Sequence, residues 1–174
     1  DKVSDNVSYY PWYPDCSFTT PTYKRVHNVT LGAYYDQIQP AMTAARNGDL
    51  ITADAGTYPE AIVINKTVTL QGAGRDTTII DATAAAADIA VNISEPGGSV
   101  TFDGFTVKAK GIEYPTATFA MNVVSTTTAS TITVTNSKFE GTGDPLNYEY
   151  GIYVHGTSAA FVFQHNIVTE GGGN

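Results

Sequence analysis

From residue 50 onward the chain consists of short segments rich in Val, Ile, Thr and Phe, separated by Gly, Asn, Asp and Pro. These segments recur at a nearly constant interval. Apolar residues within them are spaced 32, 32 and 29 residues apart, at Leu70, Phe102, Val134 and Phe163. A repeat of about 30 residues that carries two or three strands is typical of folds in which one unit stacks on the next.

Two further ladders of apolar residues follow the same period. The first lies five positions after Phe102, Val134 and Phe163. The second consists of residues in other strand-like segments. Their members are Val107, Phe139 and Val168 in the first, and Ile89, Phe119 and Ile152 in the second. A solenoid keeps its inward-pointing positions apolar because they stack on equivalent positions of the neighbouring repeats. The ladders therefore predict that equivalent residues lie side by side.

The lack of helical patterns between the strands limits how the strands can be connected. Antiparallel strands are joined by tight turns, whereas parallel strands need a long crossover that is normally helical. No helical pattern follows residue 50, which leaves an antiparallel sandwich or a solenoid whose own turns are the crossovers. The constant period favours the solenoid. The predicted fold is all-β, a parallel β-helix.

A single helical pattern precedes the strands. Ile38, Ala41, Met42 and Ala45 have the i, i+3, i+4, i+7 spacing of an amphipathic helix, and Gly48 stands where a helix is expected to stop. The sequence predicts a short capping helix at about 36–47, within a β-helix domain of residues 35–174. Residues 1–34 are predicted to form an aromatic, loop-rich N-terminal extension.

The chain resembles a known family where the helical pattern gives way to the first strands. Residues 48–74 contain Gly-Asp-x-Ile and Gly-Thr-Tyr-x-Glu, followed by Ile-x-Ile-x-Lys-x-Val-Thr-Leu-x-Gly-x-Gly. This run resembles the opening of the right-handed parallel β-helix proteins of the pectin-lyase-like superfamily, and the likeness covers about residues 33–171. The resemblance implies a right-handed β-helix. It does not imply an activity, because the superfamily contains lyases, hydrolases, esterases and many non-enzymatic surface proteins.

The motifs expected of the superfamily's enzymes are not found in the sequence. The resemblance implies paired aspartates and Gly-His-Gly in a polygalacturonase-like enzyme, and Gln-Asp and Asp-Phe in a pectin methylesterase. The nearest pieces of this chain, at 154–156 and 103–105, are interpreted as surface or turn residues. We therefore predict no catalytic residues and a non-enzymatic member of the surface-protein branch. Glu60 is expected to bond main-chain groups or to pair with Lys66.

Two groups of residues are candidate metal ligands. His155 and His165 are ten residues apart and could share a face, and Asp76, Asp81 and Asp88 flank an alanine-rich loop. No Cys or carboxylate lies at ligand spacing from the histidines, and acidic residues in turns are normally solvated. We predict no metal site and no cofactor, with Ca²⁺ at the three aspartates as the alternative.

Composition and charge limit the partners. Charged residues make up 15% of the chain, the formal net charge is −8, and the nine Lys and Arg residues are scattered, which argues against a nucleic-acid partner. No apolar run reaches the roughly 20 residues that cross a bilayer, so no transmembrane segment is predicted. Asn-x-Ser/Thr triplets favour an extracellular or cell-surface glycoprotein. The glycosylation candidates are Asn6, Asn28, Asn65 and Asn92.

Both ends of the chain suggest an interface. Tyr and Trp side chains are concentrated before residue 14, where they could bind sugars, form an interface or cover one end of the solenoid. The last repeat carries no capping pattern, and an uncapped strand edge is a template for another chain. Cys16, the only cysteine, either joins two chains in a disulfide or is a free thiol. The predicted assembly interface consists of Val3, Val7, Tyr9, Tyr10, Trp12, Tyr13, Phe161, Phe163 and Ile167.

These patterns favour a non-enzymatic extracellular structural protein, a β-helix building block that assembles head-to-tail into a filament, sheath or surface layer. In this hypothesis the N-terminal extension of one copy completes the last coil of its neighbour, a contact that does not close on itself. The partners are copies of the chain or flanking β-helix domains, with glycans as a further option. The alternative is a carbohydrate-binding or polysaccharide-degrading β-helix module, a fragment of a larger surface enzyme.

Overall fold

The computed structural model describes residues 23–85, 87–94, 96–109, 118–125, 130–141, 149–155 and 158–169. Within these residues the chain forms one helix, α1 (Ile38–Ala44), and sixteen strands. The strands are β1 (Val26–Asn28), β2 (Ala33–Tyr35), β3 (Asp49–Ala53), β4 (Gly56–Tyr58), β5 (Ile62–Ile64), β6 (Val68–Gly72), β7 (Thr78–Asp81), β8 (Ile89–Ser94), β9 (Val100–Asp103), β10 (Thr106–Lys108), β11 (Thr118–Val124), β12 (Thr131–Thr135), β13 (Lys138–Glu140), β14 (Glu149–His155), β15 (Ala160–Gln164) and β16 (Ile167–Thr169).

The strands form three sheets, which the chain visits in a fixed cyclic order from β3 onward. The sheets have the orders β15-β12-β9-β6-β3-β1-β2, β16-β13-β10-β7-β4 and β14-β11-β8-β5. Each strand from β3 to β13 pairs in parallel with the strand three places later. Among the described strands, the antiparallel pairs are β1 with β2 and β1 with β3, at one edge of the seven-stranded sheet. The fold is mostly β with parallel sheets, as the sequence predicts.

The register confirms two of the three predicted ladders. In the seven-stranded sheet Leu70 pairs with Phe102, Phe102 with Val134, and Val134 with Phe163. The ladder five residues later is paired in the five-stranded sheet, in the order Val107, Phe139 and Val168. The repeat period of the sequence is therefore the distance along the chain between paired strands.

The third ladder is correct at its first step and wrong at its second. Phe119 pairs with Ile89, as predicted, but its partner in β14 is Tyr150, and Ile152 pairs with Met121 instead. Phe119 and Met121 are both apolar and lie two positions apart. Residue type therefore does not distinguish the two registers, and the offset is visible only in the pairing itself.

One apolar cluster is formed by the buried faces of all three sheets. In β3 and β12 buried residues alternate with half-exposed ones, as expected where successive side chains point to opposite faces of a sheet. Three phenylalanine rings lie near the centre of the cluster. The ring of Phe102 is 4.8 Å from that of Phe105 and 6.4 Å from that of Phe139. Equivalent positions of successive strands thus share one core.

Helix α1 covers the core at one edge of the sheets, where it contacts β1, β2, β3 and β5. It lies within the predicted range of 36–47 and buries Ile38, Ala41 and Met42. The carboxylate of Glu60 accepts hydrogen bonds from the main-chain N–H groups of Ile38, at 2.7 Å, and Gln39, at 2.9 Å. Of the two expectations for Glu60, bonding to main-chain groups is the one observed.

The other end of α1 is held by Lys66. Its ammonium group donates to the carbonyl oxygens of Met42, Thr43 and Ala45, at 3.1, 2.7 and 2.8 Å. A carboxylate at the first turn and an ammonium group at the last both complement the helix dipole. Two side chains from the connections on either side of β5 therefore hold the helix over the core.

Candidate assembly interface

The strands β14, β15 and β16, called the end strands below, are the outermost strands of the three sheets on the side away from α1. They expose apolar side chains that are buried at equivalent positions elsewhere. In the seven-stranded sheet Leu70, Phe102 and Val134 are fully buried, whereas Phe163 is 38% exposed. Its three equivalents lie between neighbouring strands, whereas no described strand lies beyond β15 to cover the ring of Phe163.

The five-stranded sheet has the same gradient. Ile80, Val107 and Phe139 are fully buried, and Val168, their equivalent in β16, is 50% exposed. Its neighbour Ile167 is 40% exposed. Full burial of a valine or phenylalanine side chain stabilises by about 1.5–3 kcal/mol relative to leaving it exposed. Covering the end strands with one more strand on each sheet would therefore be favourable.

A corner follows β9, β12 and β15, where the chain passes from the seven-stranded to the five-stranded sheet. The first corner residues are Gly104, Asn136 and His165, all with positive φ, at 80°, 50° and 56°. This backbone conformation favours Gly and tolerates Asn. The same local geometry thus recurs in three successive repeats, whatever residue occupies the position.

Polar side chains link each corner to the next repeat. The main-chain N–H of Phe105 donates to Ser137 Oγ at 3.2 Å, and the N–H of Ser137 donates to Asn166 Oδ1 at 2.8 Å. Asn166 Nδ2 also donates to the carbonyl of Val134, at 2.7 Å. No described strand lies beyond β15 and β16. Within the described part of the chain, no further repeat supplies such a side chain to the corner at Asn166.

Main-chain hydrogen bonds join the same corners in both directions. Asn136 N–H donates to the carbonyl of Gln164 at 3.2 Å, and Ile167 N–H donates to the carbonyl of Ser137 at 2.9 Å. Gly104 N–H makes the equivalent bond to Thr135, at 3.2 Å. Hydrogen bonds of this kind are made between neighbouring strands that run parallel. The end strands thus present the same pattern of donors and acceptors to whatever lies next to them.

A side-chain hydrogen bond connects the corner after β15 to the turn between β6 and β7. Arg75, in the turn between β6 and β7, donates from Nη1 to the carbonyl of His165 at 2.8 Å. The carbonyl of Arg75 in turn accepts from Thr106 Oγ at 2.6 Å. The sequence gives no signal for this contact, because the two residues are 90 positions apart.

The structure places three of the predicted interface residues on the end strands. Phe161 and Phe163 lie in β15, with ring centroids 6.0 Å apart, and Ile167 begins β16. The remaining predicted interface residues and the disulfide candidate lie outside the described residues. These are Val3, Val7, Tyr9, Tyr10, Trp12, Tyr13 and Cys16.

The glycosylation candidates differ in their exposure. Asn65 is exposed, and Asn92 is half-buried in β8. Asn28 is fully buried and its amide donates to Asp49 Oδ2 at 2.8 Å, so attachment of a glycan there would require the local structure to open. Asn6 lies outside the described residues.

Three groups with shifted pKa values lie at the end of the molecule covered by α1. A hydrogen bond from the main-chain N–H of Arg46, and then one from the Asn28 amide, lower the pKa of Asp49. Burial raises the pKa of Tyr58, and a hydrogen bond to Asp54 raises that of Tyr23. None of these shifts involves the end strands, where contacts are mainly apolar and main-chain.

The residues considered as metal ligands are not brought together. His155 ends β14 of the four-stranded sheet, whereas His165 lies in the turn after β15 of the seven-stranded sheet. Asp81 Oδ1 accepts hydrogen bonds from the main-chain N–H and the hydroxyl of Thr83. The part of the chain that the structure describes contains no group of three or more His, Cys, Asp or Glu side chains that could hold a metal ion.

A second surface feature, on the four-stranded sheet, was not predicted. The ring of Tyr153 lies 5.1 Å from that of Phe119 and 4.8 Å from that of His155. In the same sheet Asn122 Nδ2 donates to Asn92 Oδ1 at 3.0 Å, and Asn122 pairs with Tyr153. The sequence does not reveal this group, because its members come from β8, β11 and β14 and meet only through the register of the four-stranded sheet.

Comparison with known proteins found no relative: no family model, no curated protein and no solved structure matches this chain. Among the described residues, no helix is both long and apolar enough to cross a membrane. The argument for a function therefore depends on the chain's own fold and on its end strands.

Proposed function

We propose that the three sheets are the faces of a right-handed parallel β-helix of the pectin-lyase-like kind. The cyclic order of the strands supports this, since each circuit through the three sheets advances every sheet by one strand. Crossover connections between parallel strands of one sheet are almost always right-handed. The run of residues 48–74 supports the family resemblance.

We further propose that the chain is a non-enzymatic extracellular structural protein that assembles head-to-tail. The observation that carries this proposal is the contrast between the two ends of the core. Helix α1 covers one end, while Phe163 and Val168 remain 38% and 50% exposed at the other. Exposed strand edges with apolar side chains are the surfaces through which β-proteins add strands from another chain.

The difference between the two ends also determines the kind of assembly. An interface between identical patches closes a dimer, whereas an interface between two different patches continues into a filament unless the rotation closes a ring. The covered and uncovered ends of this molecule are different surfaces. A filament, sheath or surface layer follows, in which copies of the chain or flanking β-helix domains cover the end strands.

Composition supports an extracellular location and a structural role. Charged residues make up only 15% of the whole chain, and Asn65, the first residue of an Asn-x-Ser/Thr triplet, is exposed. The sequence motifs of the superfamily's enzymes are missing. A regular surface of uncharged polar residues suits a stacked structural unit that has no substrate to bind.

Sedimentation velocity and electron microscopy of the purified chain test the proposal. We expect concentration-dependent oligomers and filaments, and we expect both to be lost when residues 1–14 are replaced by a Gly-Ser segment of equal length. Circular dichroism of this variant should retain the β signal, which shows that assembly and not folding has been lost. A chain that stays monomeric at high concentration would contradict the proposal.

The disulfide candidate is tested separately. If Cys16 joins neighbouring copies, non-reducing gels of assembled material will show dimers or ladders that disappear with reductant and in Cys16→Ser. A monomer band alone, with assembly intact in microscopy, identifies Cys16 as a free thiol and leaves the head-to-tail contact unaffected.

The alternative function, a carbohydrate-binding β-helix module, is favoured by the outer side of the four-stranded sheet. Tyr153 is 42% exposed and contacts the rings of Phe119 and His155, next to the paired amides of Asn92 and Asn122. An aromatic ring beside amide groups can stack on a sugar and bond its hydroxyls. If this function is correct, Tyr153→Ala will lose binding to polysaccharides in affinity electrophoresis, whereas Tyr34→Ala, an exposed tyrosine of another sheet, will retain it.

A further inference from the structure

The described corners show what a repeat beyond β15 and β16 has to provide. Twice in succession, a polar side chain of the next repeat accepts a hydrogen bond from the corner N–H, first Ser137 for Phe105 and then Asn166 for Ser137. The accepting residue is Ser in one case and Asn in the other. A covering repeat is therefore expected to place Ser or Asn next to Asn166.

The spacing around these corners is also constant. In each repeat, the apolar ladder residue of the preceding strand lies two positions before the first corner residue and three positions before the second corner residue. The pairs are Phe102 and Phe105, Val134 and Ser137, and Phe163 and Asn166. The residue between them with positive φ is Gly104, Asn136 or His165. A covering segment is recognised by an apolar residue, two intervening residues and then Ser or Asn.

We propose that residues 3–7 of a second copy form this covering repeat, with Val3 on Phe163, Asn6 on Asn166 and Val7 beside Ile167. This inference rests on the proposed head-to-tail assembly and specifies its register. The run Val3-Ser4-Asp5-Asn6-Val7 has the required spacing, and its last two residues, an amide and a β-branched residue, match Asn166-Ile167. Asp5 falls at the corner position with positive φ, which Asp tolerates better than most residues.

The match is confined to these five residues. Ser8 falls where the five-stranded sheet has Val168, and Asp1 falls where the seven-stranded sheet has Phe161. The contact therefore covers the ring of Phe163 and completes the corner at Asn166. In this register Oδ1 of Asn6 accepts from the main-chain N–H of Asn166, as Asn166 does for Ser137.

The geometry favours a second copy over the same chain. Tyr23, the first described residue, donates to Asp54, which follows β3, the strand four places from β15 in the seven-stranded sheet. At about 4.8 Å per strand this is a distance of roughly 19 Å. The chain's own residues 3–7 would have to cross this distance to reach β15. The covered end of a neighbour, stacked on the end strands, delivers its segment directly.

Substitutions of Asn6 in the full chain test the predicted hydrogen bond. We expect Asn6→Ala to weaken association in sedimentation velocity roughly tenfold, because it leaves a buried N–H without an acceptor. Asn6→Ser should stay within about threefold of the wild type, since Ser137 fills the same role in the described corner. The matched control is Asn65→Ala, which alters an exposed asparagine of another triplet.

Engineered disulfides test the register. In a Cys16→Ser background, Val7→Cys with Ile167→Cys places two outward-facing thiols on adjacent paired residues, with Cα atoms about 4.8 Å apart, within the range of a disulfide. The control combines Val7→Cys with Thr169→Cys, two residues further along, at about 8 Å. We expect interchain dimers and ladders with the first pair and little crosslinking with the second.

The outcomes separate the two proposals. If the wild-type chain does not associate, the head-to-tail assembly is wrong and the register with it. If it associates while Asn6→Ala has no effect, or both cysteine pairs crosslink equally, the register is wrong and the assembly stands. A disulfide that forms within a single chain, seen as a monomer without free thiols, overturns the assignment to a second copy.

Discussion

Thr118 carries a buried hydroxyl that has no hydrogen-bond partner, the one such side-chain group among the described residues. A buried polar group without a partner has lost its contacts with water and gained nothing in return. Replacing it with valine, which has nearly the same shape, removes this penalty. We expect Thr118→Val to raise the free energy of unfolding by about 1 kcal/mol, measured by urea denaturation.

Thr78 is the matched control for this prediction. It is fully buried as well, but its Oγ accepts a hydrogen bond from the main-chain N–H of Ala73 at 3.0 Å. The same N–H also donates to the carbonyl of Ala53 at 3.0 Å, so Thr78→Val removes one of its two acceptors and should lower the free energy of unfolding by about 0.5–1 kcal/mol. If both substitutions change the free energy of unfolding by the same amount, the hydrogen bonding of the hydroxyl does not determine whether valine stabilises or destabilises the chain.

Asp49 makes the stability of the chain depend on pH. Its buried carboxylate accepts from the main-chain N–H of Arg46 and from the Asn28 amide, both at 2.8 Å, and these bonds lower its pKa. A carboxyl group whose pKa is lower in the folded state stabilises the fold above its unfolded-state pKa. That contribution is lost as the pH falls through the folded-state pKa.

The corresponding variant is Asp49→Asn. We expect it to be less stable than the wild type at pH 7 and to lose less stability than the wild type when the pH is lowered from about 5 to 2. Urea denaturation across this range measures both effects. If the acid-side loss of stability is the same in the variant and the wild type, Asp49 is not its source.

At the scale of secondary-structure elements, α1 depends on the strands beneath it. It has seven residues, and an isolated helix shorter than about 12 residues is marginal in water. Glu60 and Lys66 bond its first and last turns. We expect Lys66→Met, which keeps most of the aliphatic chain and removes three hydrogen bonds, to lower the free energy of unfolding by about 1–3 kcal/mol.

Hydrogen exchange locates the effect of Lys66→Met. The amide of Ala45, which donates to the carbonyl of Ala41, should lose protection, while amides in the middle of β9 should keep theirs. Lys24→Met, at an exposed lysine, serves as the control and should leave both regions unchanged. Protection of Ala45 equal to that of the wild type would mean that apolar packing alone holds the helix.

Much of the architecture was predictable because it repeats. The ladder through Leu70, Phe102, Val134 and Phe163 gave the pairing of the seven-stranded sheet, since inward positions must be apolar in every repeat. The second step of the third ladder was not predictable, because Phe119 and Met121 are equally suited to the core. The periodicity of the sequence identifies a repeat. Where one strand carries two apolar residues that suit the core equally well, periodicity does not determine which of them pairs with the next strand.

The candidate interface was predictable only in part. The lack of a capping pattern pointed to Phe161, Phe163 and Ile167, and the structure places them on the end strands. The roles of Arg75 and Asn166 were not predictable. Each bonds a main-chain group of a residue 29 to 90 positions away. Because main-chain groups occur in every residue, the sequence does not indicate which residue is the partner.

For the whole molecule, the exposure of the core increases in one direction along the sheets. Val107 and Val168 occupy equivalent positions in the five-stranded sheet, on either side of Phe139, and differ only in what lies beyond them. Val107 is fully buried and Val168 is 50% exposed. Substitutions at these two positions can therefore distinguish an effect on the stability of one chain from an effect on the stability of an assembly.

Valine-to-threonine substitutions keep the shape of the side chain and add one hydroxyl. In dilute monomer, Val107→Thr should lower the free energy of unfolding by about 1–3 kcal/mol, because its hydroxyl is buried without a partner. Val168→Thr should change it by less than about 0.5 kcal/mol. At concentrations where the wild type assembles, Val168→Thr should weaken association in sedimentation velocity. If Val168→Thr destabilises the dilute monomer as much as Val107→Thr does, then the chain covers its own end strands, and no neighbour is needed to bury Val168.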